Sequence, residues 1–183
     1  MGQSDTGGGA QEMGAWLAPP AMSHYRENLL EHVFISEILQ ECAFARRQKV
    51  EILRPEVDDG GYDVVFQLGQ IIRHVQLKSR FRAATARNVP VNANLQLHQG
   101  GCVVWLFWQV DPKTNRSLLT YRWFGNGPRE RTKPLPERAA LHPKSKATRP
   151  NVRTLKWGDF EEIATTAELV ARLFGRAPGN PRT

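Results

Sequence analysis

Asp63, Gln76 and Lys78 are a carboxylate, a carboxamide and an ammonium that a single β-hairpin can bring to one place. Gly69-Gln70 lies between two apolar runs, and glycine at the first position of a two-residue loop suits a type II′ turn. A loop there pairs residue 68 with 71 and sets Asp63 opposite Gln76. Opposed residues of an antiparallel pair point to the same face, and Lys78, two residues beyond Gln76, shares it. The other face carries Val64, Phe66, Val75 and Leu77. Burial of that face specifies the register, because a slip of one residue would bury Lys78 and expose Leu77. His74 also falls on the polar face, within reach of a phosphate there, although a lone histidine is more often structural.

Such a set suits hydrolysis of a phosphodiester. The reaction needs a water nucleophile and stabilisation of charge on the phosphate. Mg²⁺ (or Mn²⁺) supplies both when one or two carboxylates and a carbonyl oxygen hold it. Asp63 is the expected principal metal ligand and Gln76, through its amide oxygen, an auxiliary one. Lys78 is expected to orient the attacking water and to offset charge on the phosphoryl oxygens.

The pattern resembles that of the PD-(D/E)XK nuclease superfamily, which includes many restriction endonucleases and Holliday-junction resolvases. In that family an acidic residue at a strand start is followed by a hairpin and then by acid-x-Lys. This chain has Asp63, twelve intervening residues, and Gln76-Leu77-Lys78, and Asp58-Asp59-Gly60-Gly61-Tyr62-Asp63 is similar to the family's Asp-rich approach to the hairpin. Some members carry a glutamate on the preceding helix. Glu31 is the best match, with Glu27, Glu37 and Glu41 as alternatives that helix phase does not separate. The resemblance covers about residues 23–110. It implies an α/β fold with a restriction-endonuclease-like core, a central mixed sheet flanked by helices in the order α-β-β-β-α-β-β-α. It further implies a metal-dependent endonuclease whose expected substrate is DNA. Glu31, Asp63, Gln76 and Lys78 would be catalytic, with Mg²⁺ or Mn²⁺ held by Asp63, Gln76 and Glu31. A homodimer fits that activity, since cutting both strands needs two sites. Gln76 departs from the family, which usually has Asp or Glu there, and one negative charge fewer weakens metal affinity. A catalytically silent nucleic-acid-binding or protein-interaction module that keeps the fold is therefore the alternative.

The elements that must position these residues are legible in the apolar pattern. Ser23 can cap a helix over 23–47, whose Leu29, Leu30, Val33, Phe34, Ile38, Leu39 and Cys42 give wide apolar coverage. Strands follow at 50–53, 62–68 and 71–78. Residues 79–91 read as a loop, and Asn92 can cap a short helix ending at Gly100-Gly101. Strands at 103–110 and 118–124 flank a turn at 111–115. Trp105, Phe107, Trp108 and Trp123 read as core. Thr165-x-x-Glu168 is a capping box for a closing helix that ends at Gly175.

Charge is unevenly spread. The chain of 183 residues carries a net +7, but residues 1–110 hold 10 Lys/Arg against 11 Asp/Glu, and residues 111–183 hold 15 against 7. Clustered Lys and Arg fit a polyanion, because they neutralise phosphates and release counterions. The 126–156 segment, rich in Pro, Gly, Lys and Arg, reads as a phosphate-tracking arm. Arg80 and Arg82 of the core and Lys133, Lys144, Lys146, Arg149 and Arg153 of the arm are the expected contacts with nucleic acid. The expected organisation is a flexible leader over 1–22, a nuclease-like core over 23–125, the arm, a C-terminal helix packed on the core over 157–176, and a tail from 177. No secretory signal or membrane span is visible, and Cys42 and Cys102 read as core residues rather than a disulfide framework. These features point to the cytoplasm and to no membrane partner.

Overall fold

A computed structural model describes residues 14–57 and 59–176. Residues 1–13, Asp58 and residues 177–183, which include parts of the expected leader, acidic turn and tail, lie outside the described residues. The fold is α/β, with a six-stranded mixed sheet and, among the described residues, two complete α-helices. In chain order the elements are α1 (Ser23–Gln40), β1 (Glu51–Leu53), β2 (Val64–Leu68), β3 (Ile71–Phe81), β4 (Asn88–Asn92), β5 (Cys102–Asp111), β6 (Arg116–Phe124), β7 (Ala140–Leu141), β8 (Thr148–Arg149), β9 (Val152–Lys156), β10 (Glu161–Ile163) and α2 (Thr166–Phe174). The main sheet runs β1-β2-β3-β5-β6-β10, and β4 and β9 form a separate antiparallel ribbon. Among the described strands of this sheet only β3 and β5 pair in parallel.

The hairpin forms in the expected register: Val64 pairs with Val75 and Leu68 with Ile71. Gly69 has φ 58°, whereas Gln70 is not among the described residues with positive φ, as a type II′ turn requires. One face of β3 and β5 carries Val75, Cys102, Val104, Leu106 and Trp108, which pack against Leu30, Phe34 and Ile38 of α1 and Leu169, Val170 and Leu173 of α2. Each such fully buried side chain contributes about 1.5–3 kcal/mol. The summed preference far outweighs any local tendency of the strand to slip. The opposite face carries Val103, Trp105 and Phe107, which are covered by Val89, Val91 and Leu155 from the ribbon. The sheet thus has two apolar cores, one on each face, and Trp105, Phe107, Trp108 and Trp123 are all buried.

Several expectations are corrected. The leader is not free over its whole length: Leu17 is 5% exposed in the core, the Arg26 guanidinium donates to the Leu17 carbonyl, and Pro20–Met22 forms a 3₁₀ turn. That turn runs directly into α1, so Ser23 is the first helical residue rather than its cap, and its N–H donates to the Pro20 carbonyl. The helix closes in a π-turn, Glu41–Ala45. Residues 79–91 are not all loop, since β3 continues to Phe81 and Asn88–Asn92 is a strand. The 126–156 segment is not simply an arm. Its β9 pairs with β4, Leu155 and Leu135 are buried, and the longest continuous exposed stretch is residues 141–151. Residues 157–165, expected to join the closing helix, instead hold a 3₁₀ turn and β10. The caps at Asn92 and Thr165 form as expected, with side-chain oxygens accepting from Asn94 N–H and Glu168 N–H. Cys42 and Cys102 are free and buried.

Gly61 sets the approach to Asp63. Its φ is 75°, and a Cβ there would sit 2.8 Å from the Leu95 amide nitrogen and 3.1 Å from Asn92 Cβ. Only glycine meets both the left-handed backbone and the close passage beneath the Asn92–Leu95 turn. Gly61→Ala is expected to lose about 1–3 kcal/mol of stability, read as a lower urea midpoint with an unchanged slope. An unchanged midpoint would show that the loop adapts.

Candidate active site

The site grows from a mismatch of strand lengths. β3 has 11 residues and β2 has 5, so the ladder between them stops at the Val64–Val75 pair. Beyond it β3 pairs only with β5, on its other side. Main-chain groups alternate along a strand. Because the Arg82 N–H donates to Trp108 O on the β5 side, and Val75 O accepts from Asp63 N–H on the β2 side, the odd-numbered residues Leu77 and Ser79 turn their main-chain groups to the unpaired edge. Asp63 closes the first of these positions. Its Oδ2 accepts from the Leu77 N–H at 2.5 Å.

A cleft of about 450 Å³ opens at this edge. Asp63, Leu77, Lys78 and Ser79 form one side and α1 the other. Val89 of β4 adds a further wall. The α1 residues in the cleft are His24, Glu27, Asn28, Leu30 and Glu31. The polar ones fall at i, i+3, i+4 and i+7, a single stripe of the helix beside the apolar stripe that packs on the sheet. Glu31 is held there by Arg54, whose Nη2 lies 2.9 Å from Glu31 Oε1. Tertiary structure thereby separates the four helix glutamates. Glu27 and Glu31 line the cleft, and Glu41 lies at a surface hollow beside Phe44. Glu37 accepts hydrogen bonds from the Tyr121 and Thr166 hydroxyls.

Gln76 behaves differently from its expected role. It is 5% exposed and does not line the cleft. Its Oε1 accepts from the Asn92 N–H at 3.0 Å, tying β3 to the end of β4. The carboxamide thus supports the wall of the cleft, and the expected metal contact through that oxygen is not what the geometry favours. A neutral acceptor suits the position, since a buried carboxylate would have to be compensated. His74 is also used elsewhere: it stacks on His98 at 4.7 Å, meets Tyr62 edge-on at 4.8 Å, and bonds through Nδ1 with Gln99 O. Burial draws its pKa below the ordinary histidine value, with the Gln99 bond opposing, which favours the neutral ring.

Asp63 and Glu31 on facing walls fit the hard-oxygen set of Mg²⁺, which uses one or two carboxylates and keeps several waters. Among the described residues no group of three or more His, Cys, Asp or Glu gathers as a metal site. Of the basic residues expected to meet nucleic acid, Arg82, Lys144, Lys146 and Arg149 are exposed. Arg80 lies over the Trp105 ring at 5.3 Å and Lys133 over Phe124 at 4.8 Å, and Arg153 donates to the Pro150 and Val152 carbonyls, so these three are partly engaged by the protein. His24, Ser79 and Arg54 were not singled out in the sequence. The polar stripe at helical spacing would have found His24. Nothing local marks Ser79 or Arg54, which depend on where β2 ends and on how α1 crosses β1. Among the described residues no helix is long and apolar enough to cross a membrane. Comparison with protein-family profiles, curated proteins and solved structures returned no match.

Two substitutions test this arrangement. Gln76→Leu keeps volume but orphans the Asn92 N–H, and is expected to cost about 1–3 kcal/mol in urea denaturation. Equal stability of Gln76→Leu and wild type would remove the clamp. At Glu37, burial pushes the carboxyl above its ordinary value, against a weaker opposing effect of the Thr166 hydrogen bond. A raised folded-state pKa means that the folded state holds the proton longer. Its stabilising contribution is full below the unfolded value of 4.5 and is lost as pH rises through the folded value. Glu37→Gln should therefore melt at or above the wild-type temperature at neutral pH, with the difference shrinking in acid. A deficit that grows toward neutral pH would contradict the assignment.

Proposed function

We propose that this protein is a metal-dependent endonuclease with a restriction-endonuclease-like core, hydrolysing phosphodiester bonds of nucleic acid, with DNA the expected substrate. The observation that carries this reading is the meeting of Asp63, Lys78 and Glu31 in one cleft at the unpaired edge of β3. The element order supports it: a helix, three antiparallel strands, a crossover to a parallel strand, and a further antiparallel strand. The crossover contains β4 and the 3₁₀ turn Ala93–Leu97 where the resemblance implied a helix.

Each residue has a role that its position allows. Asp63, fixed by the Leu77 N–H, and Glu31, fixed by Arg54, would hold Mg²⁺ or Mn²⁺ between strand edge and helix. The bound ion supplies charge stabilisation at the phosphate and an acidified water. Lys78 lines the same cleft, and its ammonium would orient the nucleophile and balance charge on the phosphoryl oxygens. The exposed Lys144, Lys146 and Arg149 on the β7–β8 hairpin bind backbone phosphates without reading sequence.

A second reading is favoured by one observation. The Gln76 amide oxygen accepts from the Asn92 N–H and Gln76 does not line the cleft, which leaves fewer oxygen donors there than the acid-x-Lys pattern provides. In that case the chain binds nucleic acid, or a protein partner, without cutting. Incubation with supercoiled plasmid and Mg²⁺ or Mn²⁺ separates these. The endonuclease reading expects nicking that disappears in EDTA and falls by at least about a hundredfold in Asp63→Ala and Lys78→Ala. Salt-dependent binding with no cleavage of plasmid, single strands or RNA would support the silent module. Absence of salt-dependent binding would leave only the protein-interaction form.

A further inference from the structure

Trp16 and Tyr25 are both exposed, at 58% and 54%, and their rings touch at a centroid distance of 6.1 Å. Every other tryptophan of the chain is buried or partly buried. The pair is not on a loose segment. Leu17, next to Trp16, is anchored in the core, and Arg26, next to Tyr25, donates through Nη1 to the Leu17 carbonyl and to the Ala18 carbonyl. Two aromatic rings are thus held open to solvent side by side by anchored neighbours, the contiguous kind of exposed apolar surface that binding sites use.

Their position gives this surface a partner. Tyr25 stands between His24, which lines the Asp63–Lys78 cleft, and Arg26, which lines a second cavity of about 360 Å³. Trp16 stands between Ala15 and Ala18, both of which line that same cavity. The two cavities meet at Ser79, whose main-chain groups face the unpaired edge of β3. The groove therefore runs from the cleft along the β3 edge, past Arg80 and Arg26, to the segment that carries the aromatic pair.

We infer that this groove takes an unpaired stretch of nucleic acid, a single strand or a frayed or overhanging end, with a base stacking on Trp16 and Tyr25. The inference rests on the reading of the cleft as a phosphodiester site. The physical reason is that bases inside a duplex already cover one another's faces, while an unpaired base offers its face to an aromatic ring. Grooves for single strands combine backbone-tracking cations with such rings, and here Lys78 lines the cleft and Arg80 and Arg26 line the adjoining cavity.

The test uses the full chain in EDTA, so that nothing is cut, with a fluorescein-labelled single-stranded oligonucleotide and the blunt duplex of the same sequence. Anisotropy is expected to show tighter binding of the single strand, with quenching of tryptophan fluorescence that Trp16→Phe largely removes. Trp16→Ala and Tyr25→Ala should each weaken single-strand binding on the order of tenfold, leave duplex binding unchanged and keep the wild-type melting curve. Tighter binding of the duplex by wild type, or unchanged single-strand affinity in both alanine variants, would overturn the inference. Metal-dependent cutting of duplex without single-strand preference would defeat this inference alone. Aromatic-dependent single-strand binding without hydrolysis in Mg²⁺ or Mn²⁺ would defeat the nuclease reading alone.

Discussion

Strand β3 outruns β2, and the chain must deal with the main-chain groups left facing the gap. An unpaired N–H shut away from water costs free energy comparable to a lost hydrogen bond. The Leu77 N–H is met by the Asp63 carboxylate, the first acceptor beyond the end of the ladder. That bond fixes the position of Asp63, ends the β2–β3 pairing and leaves the edge at Ser79 turned toward α1. The cleft exists because the ladder stops there and because α1 crosses close enough to form a second wall.

The rest of the molecule keeps that gap in shape. On one side of the sheet, Phe34 and Ile38 anchor α1, so that the helix stripe preceding them overhangs the open edge. On the other side, the β4–β9 ribbon covers Trp105 and Phe107 and is tied to β3 by Gln76. Gly61 allows the chain to pass under Asn92 and Leu95 on its way to Asp63. Arg73 is fully buried beneath Trp123 and donates to the Asn126 and Gly127 carbonyls, which fixes the chain as it leaves β6. A charge in that position is tolerated because carbonyl oxygens and an aromatic face replace its water.

The basic C-terminal half is divided between two uses. Arg122 lies over the Trp157 ring at 3.6 Å, beside Arg87 of the N-terminal part at 4.7 Å, and also pairs with Glu162, so this cation helps build the second core. The β7–β8 hairpin keeps its Lys and Arg in water. Net charge read from composition counts both alike, although only the second kind is available to a polyanion.

The sequence alone determined the hairpin, its register and the sharing of a face by Gln76 and Lys78, because alternation of apolar side chains with a Gly-Gln turn admits one low-energy pairing. It also determined the two helices, the caps at Asn92 and Thr165 and the burial of the tryptophan-rich strand, all of which follow from contacts between near neighbours. Tertiary structure decided the rest. Which helix glutamate faces Asp63 depends on the angle at which α1 crosses the sheet, and local periodicity does not encode that angle. The pairing of Asn88–Asn92 with Val152–Lys156 joins segments some sixty residues apart, each too short and too polar to announce itself. Gln76 reads as a ligand beside Asp63 and Lys78, and only the arrival of Asn92 makes it a clamp, because one acceptor oxygen takes the partner that folding brings to it.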